Sequence, residues 1–174
     1  MKRIVLLLLA VFLTMGAKRA PVVTTVILVR HAEKAAPDGD PPLSAAGQAR
    51  AQELAHVLSG VPLDAIYVTQ FARTQQTVQP LASARGIKPQ VRQAGGAQKA
   101  TYAPDLAREV REHHAGKTVL IAGHSNTTVD VLQALGVRNP PPIADSQYDD
   151  LFVCTLVAGA EPRVVALRYG APAR

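Results

Sequence analysis

Apolar and polar positions along the chain fall into short blocks that switch between strand and helix periodicity. Residues 22–29, Val-Val-Thr-Thr-Val-Ile-Leu-Val, form an unbroken β-branched run, the pattern of a buried strand. Similar short runs at 65–68, 89–93 and 117–122 predict further strands, and 151–157 and 163–169 predict a closing pair. Helical spacing fills the gaps. In 45–58, Ala51, Leu54, Ala55 and Leu58 share one face, with Ser44 as N-cap and Gly60 and Pro62 as terminators. A second helix is expected over 71–84, capped by Thr69 and stopped by Gly86. A third starts near Pro104 and ends near His114, and a fourth covers 126–135. Polar or rigid connections remain at 35–42, at Gly95-Gly96 and at 139–142. Strands alternating with helices imply an α/β fold. The expected architecture is a three-layer sandwich: a mostly parallel central sheet flanked by helices, with a C-terminal antiparallel edge hairpin.

Composition changes the picture mainly at the amino terminus. Lys2-Arg3 followed by the short apolar stretch 4–13 has the form of a secretory signal, so 1–20 read as a leader and 21–174 as a single domain. The apolar stretch is short for a bilayer span, which ranks an anchored helix second. Thr14-Met15-Gly16 offers small residues at the two critical cleavage positions, whereas Ala20 would put Lys18 at the −3 position, and no cysteine follows the apolar stretch to carry a lipid. Export to a periplasmic or extracellular location is the expectation. Without the leader the net charge falls from +6 to +2, because Lys2, Arg3, Lys18 and Arg19 leave and no acid does. That balance gives no basic stripe for nucleic acid. Any membrane contact is expected through an uncleaved leader alone. The lone Cys154 lies in an apolar strand, where it reads as a small buried hydrophobe.

Arg30-His31-Ala32-Glu33 stands where the first strand stops, and Gly123-His124 stands where a later one stops. Open α/β sheets place ligand sites at such strand ends, and two histidines there point to phosphoryl chemistry. Four segments then resemble the histidine phosphatase superfamily, which includes the phosphoglycerate mutases. Residues 28–33 are similar to its Arg-His-Gly-Glu signature, with Ala32 for glycine. Residues 43–51 resemble its Leu-Ser/Thr-x-x-Gly-x-x-Gln-Ala helix start, with Arg50 for glutamine. Residues 69–78 resemble Ser-x-x-x-Arg-x-x-Gln-Thr-Ala, and 119–125 resemble Val-x-Val-Gly-His. Together they run in order from 26 to 125.

The chemistry supports the same residues. Phosphoryl transfer spreads negative charge over three oxygens, so its site needs fixed cations, and Arg30 and Arg73 supply planar, permanent ones. A histidine nucleophile must be neutral, and neighbouring guanidinium groups disfavour its protonation. The resemblance implies that His31 is the nucleophile, that a phosphohistidine intermediate forms, and that His124 contacts the phosphoryl oxygens. Ser125 joins them at a helix amino terminus, which favours anions. The proton donor stays open. No carboxylate occurs between Thr74 and Pro104, which leaves Glu33, as acid or scaffold, and Asp105, with Asp38 and Asp40 in a loop that can reach over the site. Gly47 inside a helix points to close packing. Ala32 is expected to crowd the phosphate loop, and Lys34 reads as a solvated lysine or a cationic rim. Residues 145–150 shape the pocket mouth or form a capping turn. His56, His113 and His114 read as structural, the last two as cations complementing a helix dipole.

The expected function is an exported phosphatase hydrolysing phosphomonoesters of small molecules, sugar phosphates among them. Exported relatives acting on lipopolysaccharide-core sugar phosphates share the Arg-His-Ala-Glu variant. Phosphoglycerate mutase activity is disfavoured by the short chain and the leader. The alternatives are a phosphohistidine or acyl-phosphate phosphatase needing no general acid, and a non-catalytic anion-binding protein. No metal or other cofactor is implied, since the histidines lack an accompanying ligand cluster.

Overall fold

The computed structural model describes residues 20–172, so the predicted leader lies outside the described residues except for Ala20. Six strands form one sheet: β1 (Val23–Arg30), β2 (Ala65–Thr69), β3 (Gln90–Arg92), β4 (Thr118–Gly123), β5 (Asp150–Val157) and β6 (Arg163–Arg168). Four helices connect them: α1 (Ala45–Val57), α2 (Ala72–Arg85), α3 (Tyr102–His113) and α4 (Ser125–Ala134). The spatial order is β3-β2-β4-β1-β5-β6. The pairs β3–β2, β2–β4 and β4–β1 are parallel, while β5 runs antiparallel to both β1 and β6. The expected mostly parallel sheet with a C-terminal edge hairpin is the observed one.

The side chains of each strand alternate between two cores, which explains why β1 is apolar at nearly every position. Val26 and Leu28 face α3 and α4, packing with Leu106, Val110, Val131 and Leu132. Ile27 and Val29 face α1 and α2, packing with Leu54, Leu58, Val78 and Leu81. Cys154 is fully buried in the first core, as its apolar strand predicts, and burial pushes its thiol up to about 11.

Order 2-4-1 places the carboxyl ends of β1 and β4 side by side, with Arg30 paired to Gly123. That junction is where a doubly wound sheet opens a crevice for ligand. Helix α1 starts as predicted, with Ser44 Oγ accepting from Gly47 N at 3.1 Å. The close packing expected at Gly47 is extreme: a Cβ there would lie 2.1 Å from Glu33 O. Only glycine lets this helix rest on the backbone that follows His31.

Two expectations change. Thr69 does not cap α2; Phe71 holds that position, and Thr69 ends β2 with its hydroxyl turned to Thr74 and His124. His114 is not a dipole-facing cation either. It is buried, its Nε2 lies 2.7 Å from the Tyr67 hydroxyl, and burial lowers its pKa.

Candidate active site

His31 N donates to Gly123 O at 2.8 Å, which carries the β1–β4 pairing one step beyond the sheet. His31 and His124 therefore leave the strands together, with ring centroids 5.2 Å apart. His31 Nδ1 lies 2.7 Å from Ala32 O. A carbonyl only accepts, so Nδ1 carries the proton and the lone pair sits on Nε2. Ala32 N donates to Thr77 Oγ1, which in turn donates to Arg73 O, tying this turn to α2. The Ala32 methyl does not crowd the phosphate loop; it packs into a small core with Leu43 and Ala51.

Arg30 is anchored from one side. Its Nη1 is within 2.8–3.0 Å of the carbonyls of Ala144, Asp145 and Gln147, and Tyr148 stacks 4.2 Å from its guanidinium. The 145–150 block thus walls the site. Arg73 mirrors this arrangement, stacked 4.3 Å over Phe71, with Nη2 3.5 Å from His124 Nδ1. Because that contact makes Nδ1 an acceptor, His124 Nε2 carries the proton toward Thr69 Oγ1 at 3.1 Å. Both Arg30 Nε and Arg73 Nε are buried with no hydrogen-bond partner among the described residues. Buried guanidinium N–H groups left so are suited to an anion. Ser125 opens α4 beside them, its hydroxyl 3.3 Å from Asp145 Oδ1. Lys34 turns back to the carbonyl of Pro37.

Burial lowers the His31 pKa to about 4, with Arg30, Arg73 and Lys34 adding to the shift. Burial likewise lowers His124 to about 3, with His31 and the two arginines adding. The predicted effect of the guanidinium groups is present, but exclusion of water is the larger cause. Both rings are neutral at pH 7. Protonation would block Nε2, so the acidic limb of kcat/KM is expected near pH 4 rather than near 6.5. A pH–rate profile of an aryl phosphatase reaction measures this, and a limb at 6.5 would contradict it.

Both candidate acids are engaged elsewhere, which for Glu33 is its scaffold alternative. Glu33 is held by Arg50, with Nε 3.1 and 3.0 Å from its two oxygens and Nη2 at 2.7 Å. Burial alone would raise the Glu33 pKa, but the Arg50 hydrogen bonds outweigh it and hold the carboxylate ionised. It is scaffold. Asp105 sits on α3, ion-paired with Arg108 at 2.8 Å, and touches none of the site residues. Sequence reading gave Thr69 only the α2 cap and Tyr148 only a place in the 145–150 block, and assigned no site role to Thr74 or Phe71; in the structure these residues orient or stack on the histidines and arginines of the site. The signal for the threonines was available: a hydroxyl ending a strand and another five residues on. Among the described residues, no group of three metal-ligating side chains occurs.

A family model for the histidine phosphatase superfamily (branch 1) matches residues 26–94. Over that span, 69 of the 174 residues, the chain is similar to the histidine phosphatase superfamily. The matched span holds Arg30, His31 and Arg73, and the geometry adds His124 from beyond it. Several solved structures share the fold. A mycobacterial glucosyl-3-phosphoglycerate phosphatase shares 15% identity at TM-score 0.68, over 85% of this chain and 100% of that one. A SixA-type phosphohistidine phosphatase from Agrobacterium tumefaciens shares 25% identity at TM-score 0.61, over 86% and 98%. The protein histidine phosphatase SixA bound to tungstate shares 18% identity at TM-score 0.62, over 83% and 96%. No curated protein matches the sequence.

Proposed function

We propose that this protein is an exported phosphatase that hydrolyses small phosphomonoesters through a phosphohistidine on Nε2 of His31. One observation carries the reading: a buried, neutral histidine whose Nδ1–H is committed to a carbonyl, leaving its Nε2 lone pair free beside two anchored arginines. Nε2 attacks phosphorus as the ester P–O bond breaks. The positive charge that develops on the ring is stabilised by the Nδ1–H bond to Ala32 O. Arg30, Arg73 and the amino-terminal amides of α4 face the phosphoryl oxygens. Water then attacks phosphorus, the P–N bond breaks, and the electron pair returns to Nε2. The names of the similar structures, each a phosphatase, support the reaction class.

The engagement of Glu33 and Asp105 favours a second reading of the substrate. With neither of those two acids in reach, a phosphoramidate or acyl phosphate, whose leaving group departs without a strong acid, is the alternative class. Export rests on the form of residues 1–20 and is tested by fractionating cells that make the full chain.

Rapid quenching of the protein with an aryl phosphate is expected to trap acid-labile phosphate on the peptide containing His31. Turnover with no phosphate on that peptide would overturn the covalent mechanism. Inertness toward aryl, sugar and acyl phosphates would instead identify an anion-binding protein.

A further inference from the structure

Neither Glu33 nor Asp105 reaches the phosphoryl site, yet one carboxylate contacts it directly. Asp40 Oδ1 lies 3.3 Å from Arg73 Nη1, and its two oxygens accept from Ala72 N at 3.0 and 3.1 Å. The contact is built into the loop. Lys34 and Leu43 form a β-bridge that closes the neck of residues 35–42, and Ala35 N donates to Pro42 O at 2.9 Å. Leu43 N donates to Gln76 Oε1 at 2.8 Å, fixing the returning strand to α2. Gly39 turns the tip at φ 73°, and Pro41, which is buried, restricts the backbone of Asp40 before it. The side chain of Asp40 is nevertheless 43% exposed, against 14% for that of Arg73.

We infer that Asp40 is the catalytic acid and base of this site, acting on the leaving group and then on water; the inference rests on His31 being the nucleophile. In the resting protein its carboxylate occupies Arg73. A phosphoryl dianion seated between Arg30 and Arg73 competes for that guanidinium. As Nε2 of His31 bonds to phosphorus, the P–O bond breaks with its electron pair on the leaving oxygen, which takes the Asp40 proton. In the second step Asp40 takes a proton from water as the water oxygen bonds to phosphorus. The P–N bond breaks, its pair returns to Nε2, and inorganic phosphate leaves with Asp40 protonated again. Asp145 also lies near Arg30, but its oxygen accepts from Ser125 Oγ and its backbone carbonyl anchors Arg30.

The test is Asp40→Asn across a series of substituted phenyl phosphates of rising leaving-group basicity. Asparagine still accepts from Ala72 N, so the start of α2 stays capped. For the most basic phenols kcat/KM is expected to fall by about 10²-fold or more, and for p-nitrophenyl phosphate by less than about tenfold. Slowed hydrolysis of the phosphohistidine is expected to give a burst. An equal fall for every phenol would make Asp40 a positioning residue for Arg73 and overturn the inference. A steeper leaving-group dependence in Asp145→Asn than in Asp40→Asn would move the role to Asp145. If His31→Ala kept full activity, the phosphohistidine reading itself would fall, a result distinct from either.

Discussion

His31→Ala is expected to lower kcat for an aryl phosphate by about 10⁴-fold or more while the protein stays folded. Loss of a covalent nucleophile closes the two-step route, and what remains is direct attack by water in a site that still holds cations. Nucleophile deletions of this kind cost about 10⁴–10⁶ in kcat and leave a residual acceleration from binding and electrostatics. That residue resides in Arg30 and Arg73, whose anchors do not involve the imidazole: carbonyls 144, 145 and 147 for one, Phe71 and Asp40 for the other. Inorganic phosphate or tungstate is therefore expected to bind the variant within about tenfold of the parent, since charge-assisted guanidinium contacts remain. Titration of the anion beside the kinetic assay separates the two roles. Full turnover in the variant would eliminate His31 as nucleophile. Loss of anion binding together with turnover would mean that the imidazole merely supports the pocket.

The four residues that converge here were legible because each sits at a place where short-range sequence and topology agree. Arg30-His31 and Gly123-His124 end two apolar runs, and a parallel sheet sets such ends next to each other when the runs pair directly, as β1 and β4 do. Arg73 follows the end of β2 by four residues, on the first turn of α2. What sequence spacing leaves open is which polar partner each group takes. Glu33 and Arg50 are 17 positions apart, and Asp40 and Arg73 are 33 apart. No local period couples residues at such distances. The pairing emerges only after α1 has packed onto the Glu33 backbone through Gly47. Arg50 thereby looks like a lapse from the glutamine of the family pattern, whereas in the fold it completes Glu33. The direction of the His31 pKa shift was readable from its charged neighbours. Its main cause was not, because burial depends on elements packed from the far end of the chain, including Tyr148, 5.9 Å from the His31 ring.

Arg50→Ala is expected to cost about 3–5 kcal/mol of stability, the range for breaking a buried ion pair from one side. At this chain length that is a fall in Tm of roughly 10 °C or more. The Arg50 side chain is 3% exposed and that of Glu33 23%. Beyond the bidentate pair, Arg50 Nη1 donates to Tyr169 O and Nη2 to Ala171 O, each at 2.8 Å, so one guanidinium fastens the C-terminal segment to the turn behind His31. Alanine leaves a half-buried carboxylate and two carbonyls without their donors, and the unpaired charge is the largest of these penalties. The double variant Glu33→Ala/Arg50→Ala should lose less than the sum of the single changes, because the uncompensated charge is then gone. The sign with pH follows from Glu33. Its folded pKa lies below the ordinary value of 4.5, so the stability it contributes is present above 4.5 and is lost as pH falls through the folded value. Parent and Arg50→Ala should accordingly converge in stability as the pH drops below about 4.5. Denaturant unfolding at neutral and acid pH measures this, and a gap under about 1 kcal/mol at pH 7, or one that widens in acid, would show that the pair does not hold the turn in place.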